Sequence, residues 1–390
     1  MAYIDQFFEV LINAGASDLH LGQHQPPKIR RHGEIVPIRN EVLEHDEMAF
    51  MMSEICGPDR WQRFEEGGDL DFAYEMDEHS RFRCNYLKQT HGYGAVFRLI
   101  PTKILSLDQL GIPPVVKEFG HLRGGLVLVT GPTGSGKSTT LAALLDYINS
   151  NFPRHIITVE EPIEFVHSNK RSIMTQREVP EHATSFPVGL KAALREDADI
   201  VLVGEMRDLE TIESALRIAE TGHLTFATLH TNTAASTINR IIDVFPSTQQ
   251  AQVRAQLSLV LEGILCQSLL PKANSGGRVA ALEIMVPNSA IRNLIREDKV
   301  HQIYSMMQTG QDKYGMQTFN QALATLYHRR QITLELAMQR SQNPDELRDL
   351  IEHGAGINHG AGSNGASPTR PAHPSPYAQS RTLGTRPTPR

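Results

Sequence analysis

Ile4, Phe7, Phe8, Leu11 and Ile12 recur with helical spacing, so the pattern predicts an amphipathic helix over residues 2–14. Short strand-like runs follow at 18–21, 29–31, 71–74, 82–86 and 94–99, with glycines or polar turns between them. Residues 1–100 therefore read as a small α+β domain. Pro101, Gly111, Pro113 and Pro114 punctuate a linker over 101–120. After it the pattern changes. Continuous apolar runs at 125–130, 156–159, 200–203 and 224–229 alternate with helical segments. Strands covered by helices on both faces lose the in/out alternation and look like this. The second domain, 121–355, is expected to be α/β, with its last third, from about residue 247, mainly helical. Residues 356–390 are rich in Gly, Ser and Pro and hold four arginines with no acid. Such a stretch buries too little apolar surface to offset its ordering entropy, so disorder is expected there.

The hydrophobic fraction of 40% is enough for two cores, yet no run reaches the roughly 18–20 apolar residues of a membrane helix. Asp5 and Glu9 interrupt the first helix and no basic flank precedes it, unlike a signal peptide. Cys56, Cys84 and Cys266 are odd in number and far apart, which excludes a CxxC zinc site, argues against a disulfide framework and fits a reducing cytoplasm. The net charge of −6 makes nucleic acid an unexpected partner.

The chemistry begins at Gly131-Pro132-Thr133-Gly134-Ser135-Gly136-Lys137-Ser138, a full match to G-x-x-x-x-G-K-[ST] between a strand and a helix. Backbone N–H groups of such a loop turn inward on phosphate oxygens, and the helix N-terminus adds positive potential. Lys137 is placed to reach the β- and γ-phosphates of ATP, Ser138 to ligate Mg²⁺, and Thr139 continues the site. The next strand ends in Glu160, Glu161 and Glu164, at the edge where open α/β sheets hold ligands. A carboxylate there can orient water or hold Mg²⁺. The run from Asp199 to Glu205 is an apolar strand bounded by acids, the Walker B pattern, and Glu205 is the expected general base. A fourth strand delivers His230 to the same edge, within reach of a γ-phosphate. A structural histidine is the alternative there.

The order and wording of GPTGSGKST, VEEPIEF, LVGEMRD and TGHLTFATLHT resemble the type II/IV secretion ATPase superfamily, with its Walker A, Asp box, Walker B and His box. The likeness runs from about residue 15 to about 317 and is strongest to the retraction motors of type IV pili. The segment Ala290-Ile291-Arg292-Asn293-Leu294-Ile295-Arg296-Glu297 matches a motif associated with those motors. Its own pattern says only that Ile291, Leu294 and Ile295 share one face of a helix entered through Pro287 and Asn288. The resemblance implies a PAS-like N-terminal domain, a RecA-like ATPase domain and a homo-hexameric ring that hydrolyses MgATP. It implies Arg83 and Arg98 as arginines that approach the phosphates, with Arg81 close enough to substitute, and Arg195 as a phosphate or intersubunit contact. A guanidinium fork suits charge on a transferring phosphoryl group.

Two positions depart from the family. Glu161 stands where relatives commonly have aspartate, which moves the carboxylate expected, with Ser138, at the metal. Lys191 stands where relatives often have arginine and cannot make a bidentate contact.

The implied function is pilus retraction powered by ATP, at the cytoplasmic face of the inner membrane. The implied partners are a membrane platform protein and a paralogous retraction ATPase. Rival readings are a pilus-assembly or type II secretion ATPase, an accessory retraction paralogue, a nucleic-acid translocase and a nucleotide-binding scaffold. Assembly ATPases usually carry a tetracysteine site, and only Cys266 follows the phosphate loop. A translocase would want a basic channel or stacking aromatics, but aromatics are 6%. Glu205 and His230 speak against an inert scaffold.

Overall fold

In the computed structural model, residues 2–31, 33–77, 80–100, 103–274 and 276–353 are described. The tail expected to be disordered lies outside them, as do Pro101 and Thr102.

The first helix, α1 (Asp5–Asn13), forms where the apolar spacing places it. Its Phe8 stacks on Phe82 with ring centroids 3.9 Å apart and meets Phe97 edge-on at 5.1 Å. Those rings belong to an antiparallel sheet of β1 (Asp18–Gly22), β2 (Lys28–Arg31), β3 (Glu34–Pro37), β4 (Asp69–Asp77), β5 (Ser80–Gln89) and β6 (Gly92–Ile100), in the order β3-β2-β1-β6-β5-β4. Helices α2 (His45–Cys56) and α3 (Pro58–Gly67) add Met48, Met51, Met52 and Phe64 to the same core. Along β5, Phe82, Cys84 and Tyr86 are buried while Arg81, Arg83 and Asn85 take the other face, the two-residue alternation of a half-buried strand.

The stretch read as a linker contains a helical turn, α4 (Val115–Glu118), and its apolar residues are packed. Leu107, Ile112, Val116 and Phe119 are buried in one core cluster with residues of β7 (Gly125–Thr130) and α5 (Lys137–Asn151).

The second sheet adds β8 (His155–Glu160), β9 (Ile173–Glu178), β10 (Ile200–Val203), β11 (Leu224–Leu229), β12 (Leu261–Pro271) and β13 (Arg278–Met285) to β7. Its order is β13-β12-β7-β11-β10-β8-β9, parallel except for β13. Every residue of β7, β10 and β11 is buried. Alternate residues serve opposite faces. Val127, Val129, Leu202 and Phe226 pack toward α5. Leu126, Leu128, Val203 and Ala227 pack toward α6 (Phe186–Ala193), α7 (Leu209–Glu220), α8 (Ala234–Asp243) and α9 (Ser247–Val260). Full burial of each such side chain stabilises by about 1.5–3 kcal/mol.

The last third is mainly helical, as expected, but it also contributes two strands that the pattern did not mark, β12 and β13. Beyond them the chain is helical: α10 (Ser289–Arg296), α11 (Ile303–Thr309), α12 (Gln311–Tyr314), α13 (Phe319–His328), α14 (Leu334–Arg340) and α15 (Pro344–His353). Asn288 caps α10 by accepting from Ile291 N at 2.9 Å, and Ile291 and Ile295 are buried. No helix among the described residues is long and apolar enough to cross a membrane.

Candidate active site

Parallel pairing brings four strand ends to one edge. Thr130 of β7 is level with Leu229 of β11, and Val203 of β10 with Ala227 of β11 and Val159 of β8. The phosphate loop, His230, Glu205 and the acidic run from Glu160 therefore leave the sheet side by side.

The loop between β7 and α5 is shaped by its glycines and by one side chain from β12. Gly131 and Gly136 have φ of 142° and 87°, and a Cβ at either would lie 2.3 Å from Gln267 O or 2.8 Å from Gln267 Nε2. Only glycine satisfies both the backbone angle and the close approach. Gln267 Nε2 donates to Ser135 O at 2.7 Å, and Gln267 Oε1 accepts from Thr140 Oγ1 at 2.7 Å. Lys137 Nζ donates to Gly131 O at 2.8 Å and Pro132 O at 3.2 Å. Burial lowers the Lys137 pKa, and the charges of Glu205 and Glu164 act against that. Pro132, Thr133 and Gly134 are exposed, while Gly136, Ser138 and Thr139 are half-buried. The first N–H groups of α5 thus open on an accessible, positively biased surface.

The Glu205 carboxylate is held at both oxygens. Oε1 lies 2.6 Å from His230 Nε2 and Oε2 accepts from Arg207 Nη2 at 2.7 Å. Burial acts to raise the Glu205 pKa, but Arg207 and His230 outweigh it and leave the carboxyl below its ordinary value. It is therefore ionised at neutral pH, the state a general base needs. Thr228 Oγ1 donates to Gly204 O and Met206 N donates to Thr228 O at 3.0 Å, fastening the Glu205 turn to β11.

Glu160 ends β8 and lines a cavity of about 40 Å³ together with Ser138, His167, Gly204 and Thr228. Burial pushes its carboxyl up to about 7 and pushes the His167 ring down to about 4. Glu164 acts on Lys137 and Glu161 on Arg207 through their charge. Asp199 lies at the opposite end of β10, where Oδ2 accepts from His155 N at 2.8 Å. It bounds the strand without reaching this edge.

The donor set fits Mg²⁺. Ser138 offers a hydroxyl in the same cavity as the Glu160 carboxyl, both hard oxygen ligands. Among the described residues no group of three or more His, Cys, Asp or Glu could hold a metal by itself. A magnesium ion that keeps water and phosphate oxygens as its other ligands needs no such cage.

The predicted arginines are not gathered here within one chain. Arg83 pairs with Asp71 at 3.8 Å and Arg98 with Asp18 at 2.8 Å, both on the first sheet, where they stand opposite each other in register. Arg195 is exposed just beyond α6. Lys191 pairs with Glu210 at 3.0 Å. Arg81 instead crosses to the second sheet, meeting Glu178 of β9 at 3.4 Å.

The model of the type II/IV secretion system protein family matches residues 1–355. The chain belongs to that family. It is 50% identical over 331 residues to the type IV pilus retraction ATPase PilT of Pseudomonas aeruginosa, covering 85% of this chain and 96% of that protein. It is 46% identical over 321 residues to a twitching motility protein of Neisseria gonorrhoeae, covering 82% and 86%. The crystal structure of the pilus retraction motor PilT with bound ADP superposes with a TM-score of 0.82 at 48% identity, covering 89% of this chain and 99% of that one. The family expected from the four motif blocks is the family found.

In this secretion-family chain three residues around the site escaped sequence reasoning. Arg207 follows Glu205 by two positions, but nothing in that spacing says it folds back. Gln267 was hidden because β12 was not read as a strand. Glu178 sits on an edge strand whose sequence, Ile173–Glu178, has no apolar pattern.

Proposed function

We propose that the chain is a motor ATPase that hydrolyses MgATP to power retraction of a type IV pilus. The observation that carries this is the convergence at one sheet edge of a complete phosphate loop and a Glu205 held by His230 and Arg207. The near full-length likeness to a retraction ATPase supports the mechanical role. The fold is α/β, and we read its two parts as a PAS-like domain over 1–100 and a RecA-like domain over 121–355.

In this reading Lys137 and the N-terminus of α5 bind the phosphates. Ser138 would hold Mg²⁺, with Glu161 as a ligand through water. Bound metal would neutralise charge on the transferring phosphoryl group. Glu205 accepts a proton from the attacking water, and His230 orients Glu205 and senses the γ-phosphate. Glu160 and Glu164 complete the acidic wall. Arg83, Arg98 and Arg195 act across subunit boundaries in a homo-hexamer, which is why one chain leaves them away from its own loop. The Arg83–Asp71 pair is exposed and cheap to exchange for phosphate, since such pairs are worth about 0–1 kcal/mol, and Arg98 is itself exposed although its partner Asp18 is buried. The ring would work on a platform protein at the cytoplasmic face of the inner membrane, with a paralogous ATPase as a further partner.

Deleting the gene and scoring pili and twitching tests this. Excess pili without twitching, restored by wild type and not by Glu205→Gln, is the expected result. Loss of pili would make the chain an assembly motor, and unchanged pili and motility would overturn the pilus assignment.

A further inference from the structure

Glu178 is the last residue of β9 and only 5% exposed. A buried carboxylate is costly unless its oxygens are engaged. Its Oε2 is engaged twice, from two directions. It accepts the backbone N–H of Ile163 at 3.1 Å and the Arg81 Nη2 at 3.4 Å. Ile163 lies inside the acidic loop, directly before Glu164, whose charge faces Lys137. Arg81 belongs to β5 of the first sheet. Two residues on, and so on the same face of that strand, stands Arg83.

The loop is tied to Glu178 by backbone as well. Glu160 and Glu178 are register partners across β8 and β9, and Val179 N donates to Glu160 O at 2.8 Å. Glu160 in turn packs on Gly204, where an added Cβ would come within 3.1 Å of the Glu160 Cα. One carboxylate thus stands between the strand that carries Arg81 and Arg83 and the loop that carries Glu160 and Glu164. Arg81 Nε is buried with no hydrogen-bond partner among the described residues, so the guanidinium keeps an unused donor beside this contact. A second contact between the same parts of the chain goes elsewhere. Arg60 and Arg63 of α3 meet Glu181 at 3.1 and 2.8 Å, and no hydrogen bond or ion pair of the Glu181 carboxylate reaches the acidic loop.

We propose that Glu178 is a positioning residue through which the N-terminal sheet sets the geometry of the acidic loop, so that ATP hydrolysis depends on the Arg81–Glu178 pair. This rests on the reading of residues 160–164 and Glu205 as one hydrolytic site. When Arg81 holds Glu178, the Ile163 N–H keeps its acceptor in place and Glu164 stays beside Lys137. When the first sheet moves, the loop follows.

The test is steady-state ATP hydrolysis by the full chain, with thermal unfolding alongside, for Arg81→Gln, Glu178→Gln, their double variant, Arg81→Lys and Glu181→Gln. Glu178→Gln keeps a carbonyl to accept from Ile163 N, and the unfolding midpoint shows whether the fold is kept. Each Gln single variant should lower kcat about 10- to 100-fold with KM little changed, the range lost when groups that orient catalytic side chains are removed. The double variant should lose no more than the worse single, because both remove one contact. Arg81→Lys should restore part of kcat, and Glu181→Gln should leave it unchanged. Multiplying losses in the double variant, or a Glu178→Gln protein altered only in its unfolding midpoint, would overturn the proposal. So would a Glu181→Gln loss equal to that of Glu178→Gln. Glu205→Gln run in parallel separates the two levels. If it abolishes turnover while Glu178→Gln keeps the wild-type kcat, only the positioning role falls. If Glu205→Gln turns over like wild type, the hydrolytic reading falls and takes this proposal with it.

Discussion

In the parallel sheet, the lysine and acids of the site meet at one edge and pull on each other. Lys137 feels Glu205 and Glu164, and Glu205 is shared by Arg207 and His230. In the antiparallel sheet the arginines are paired with carboxylates, Arg83 with Asp71, Arg98 and Arg30 with Asp18 and Arg81 with Glu178. The parallel sheet holds fixed chemistry on a frame buried on both faces. The antiparallel sheet holds charges that can be exchanged, and the pair of Arg83 with Asp71 is exposed enough that it stabilises by about 1 kcal/mol or less. A motor needs both, a rigid place for the reaction and a movable part that registers it.

The comparison breaks first at Lys137. Lys137→Ala should weaken nucleotide binding on the order of 10²-fold or more, as loss of a desolvated charge partner does, with little change in the unfolding midpoint. Binding of a fluorescent ATP analogue measures it, and retained affinity would mean that the loop is not the phosphate site.

Acid and base should then act on the two sheets with opposite sign. Glu283 of β13 accepts from Ala234 N at 2.7 Å, and burial pushes it up to about 7 from an ordinary 4.5. A raised carboxyl favours the folded state when protonated. Its contribution is therefore full below about pH 4.5 and lost as pH rises to about 7, a change of up to about 3 kcal/mol. Asp18 of β1 goes the other way. Burial raises it, but Ser17 and Arg98 outweigh burial and lower it below 3.8, so its contribution is present above that pH and lost in acid. Denaturant melts of wild type, Glu283→Gln and Asp18→Asn from pH 3 to 8 should separate the two. A Glu283→Gln protein with the same pH slope as wild type between 5 and 7 would contradict the first.

Gln267→Ala leaves Thr140 Oγ1 and Ser135 O without their partner and should cost about 1–3 kcal/mol of stability, read from urea midpoints. The smallest effect belongs to the other sheet. Arg83→Ala, with its pair at 3.8 Å and partly exposed, should change stability by less than about 1 kcal/mol. In the proposed ring its effect on turnover should be far larger, and equal small effects on both would deny that the first sheet supplies charge to the reaction.

What the sequence made legible follows the same division. Strands β7, β8, β10 and β11 could be read because burial on both faces forces unbroken apolar runs, and each run ended in residues of the candidate site. Strand β3 is a largely exposed edge strand of four residues and β9 an edge strand with mostly polar residues, so no pattern marked them. Strand β12 runs on from α9 with no glycine or proline between Val260 and Leu261, so its apolar residues read as more helix. Gln267 and Glu178 lie on those unread strands, and their roles were invisible with them. Arg207 was missed for another reason. Its importance lies in a side chain that turns back on Glu205, and sequence spacing carries no sign of that.

The central claim is that this edge hydrolyses ATP with Glu205 as base. The direct measurement is phosphate release under saturating MgATP by wild type and Glu205→Gln, with nucleotide binding measured on the same preparations. The account predicts wild-type turnover and a variant that binds ATP equally well but releases phosphate about 10²–10⁴-fold more slowly, the range attributed to a positioned general base. Equal turnover by the two proteins would contradict it.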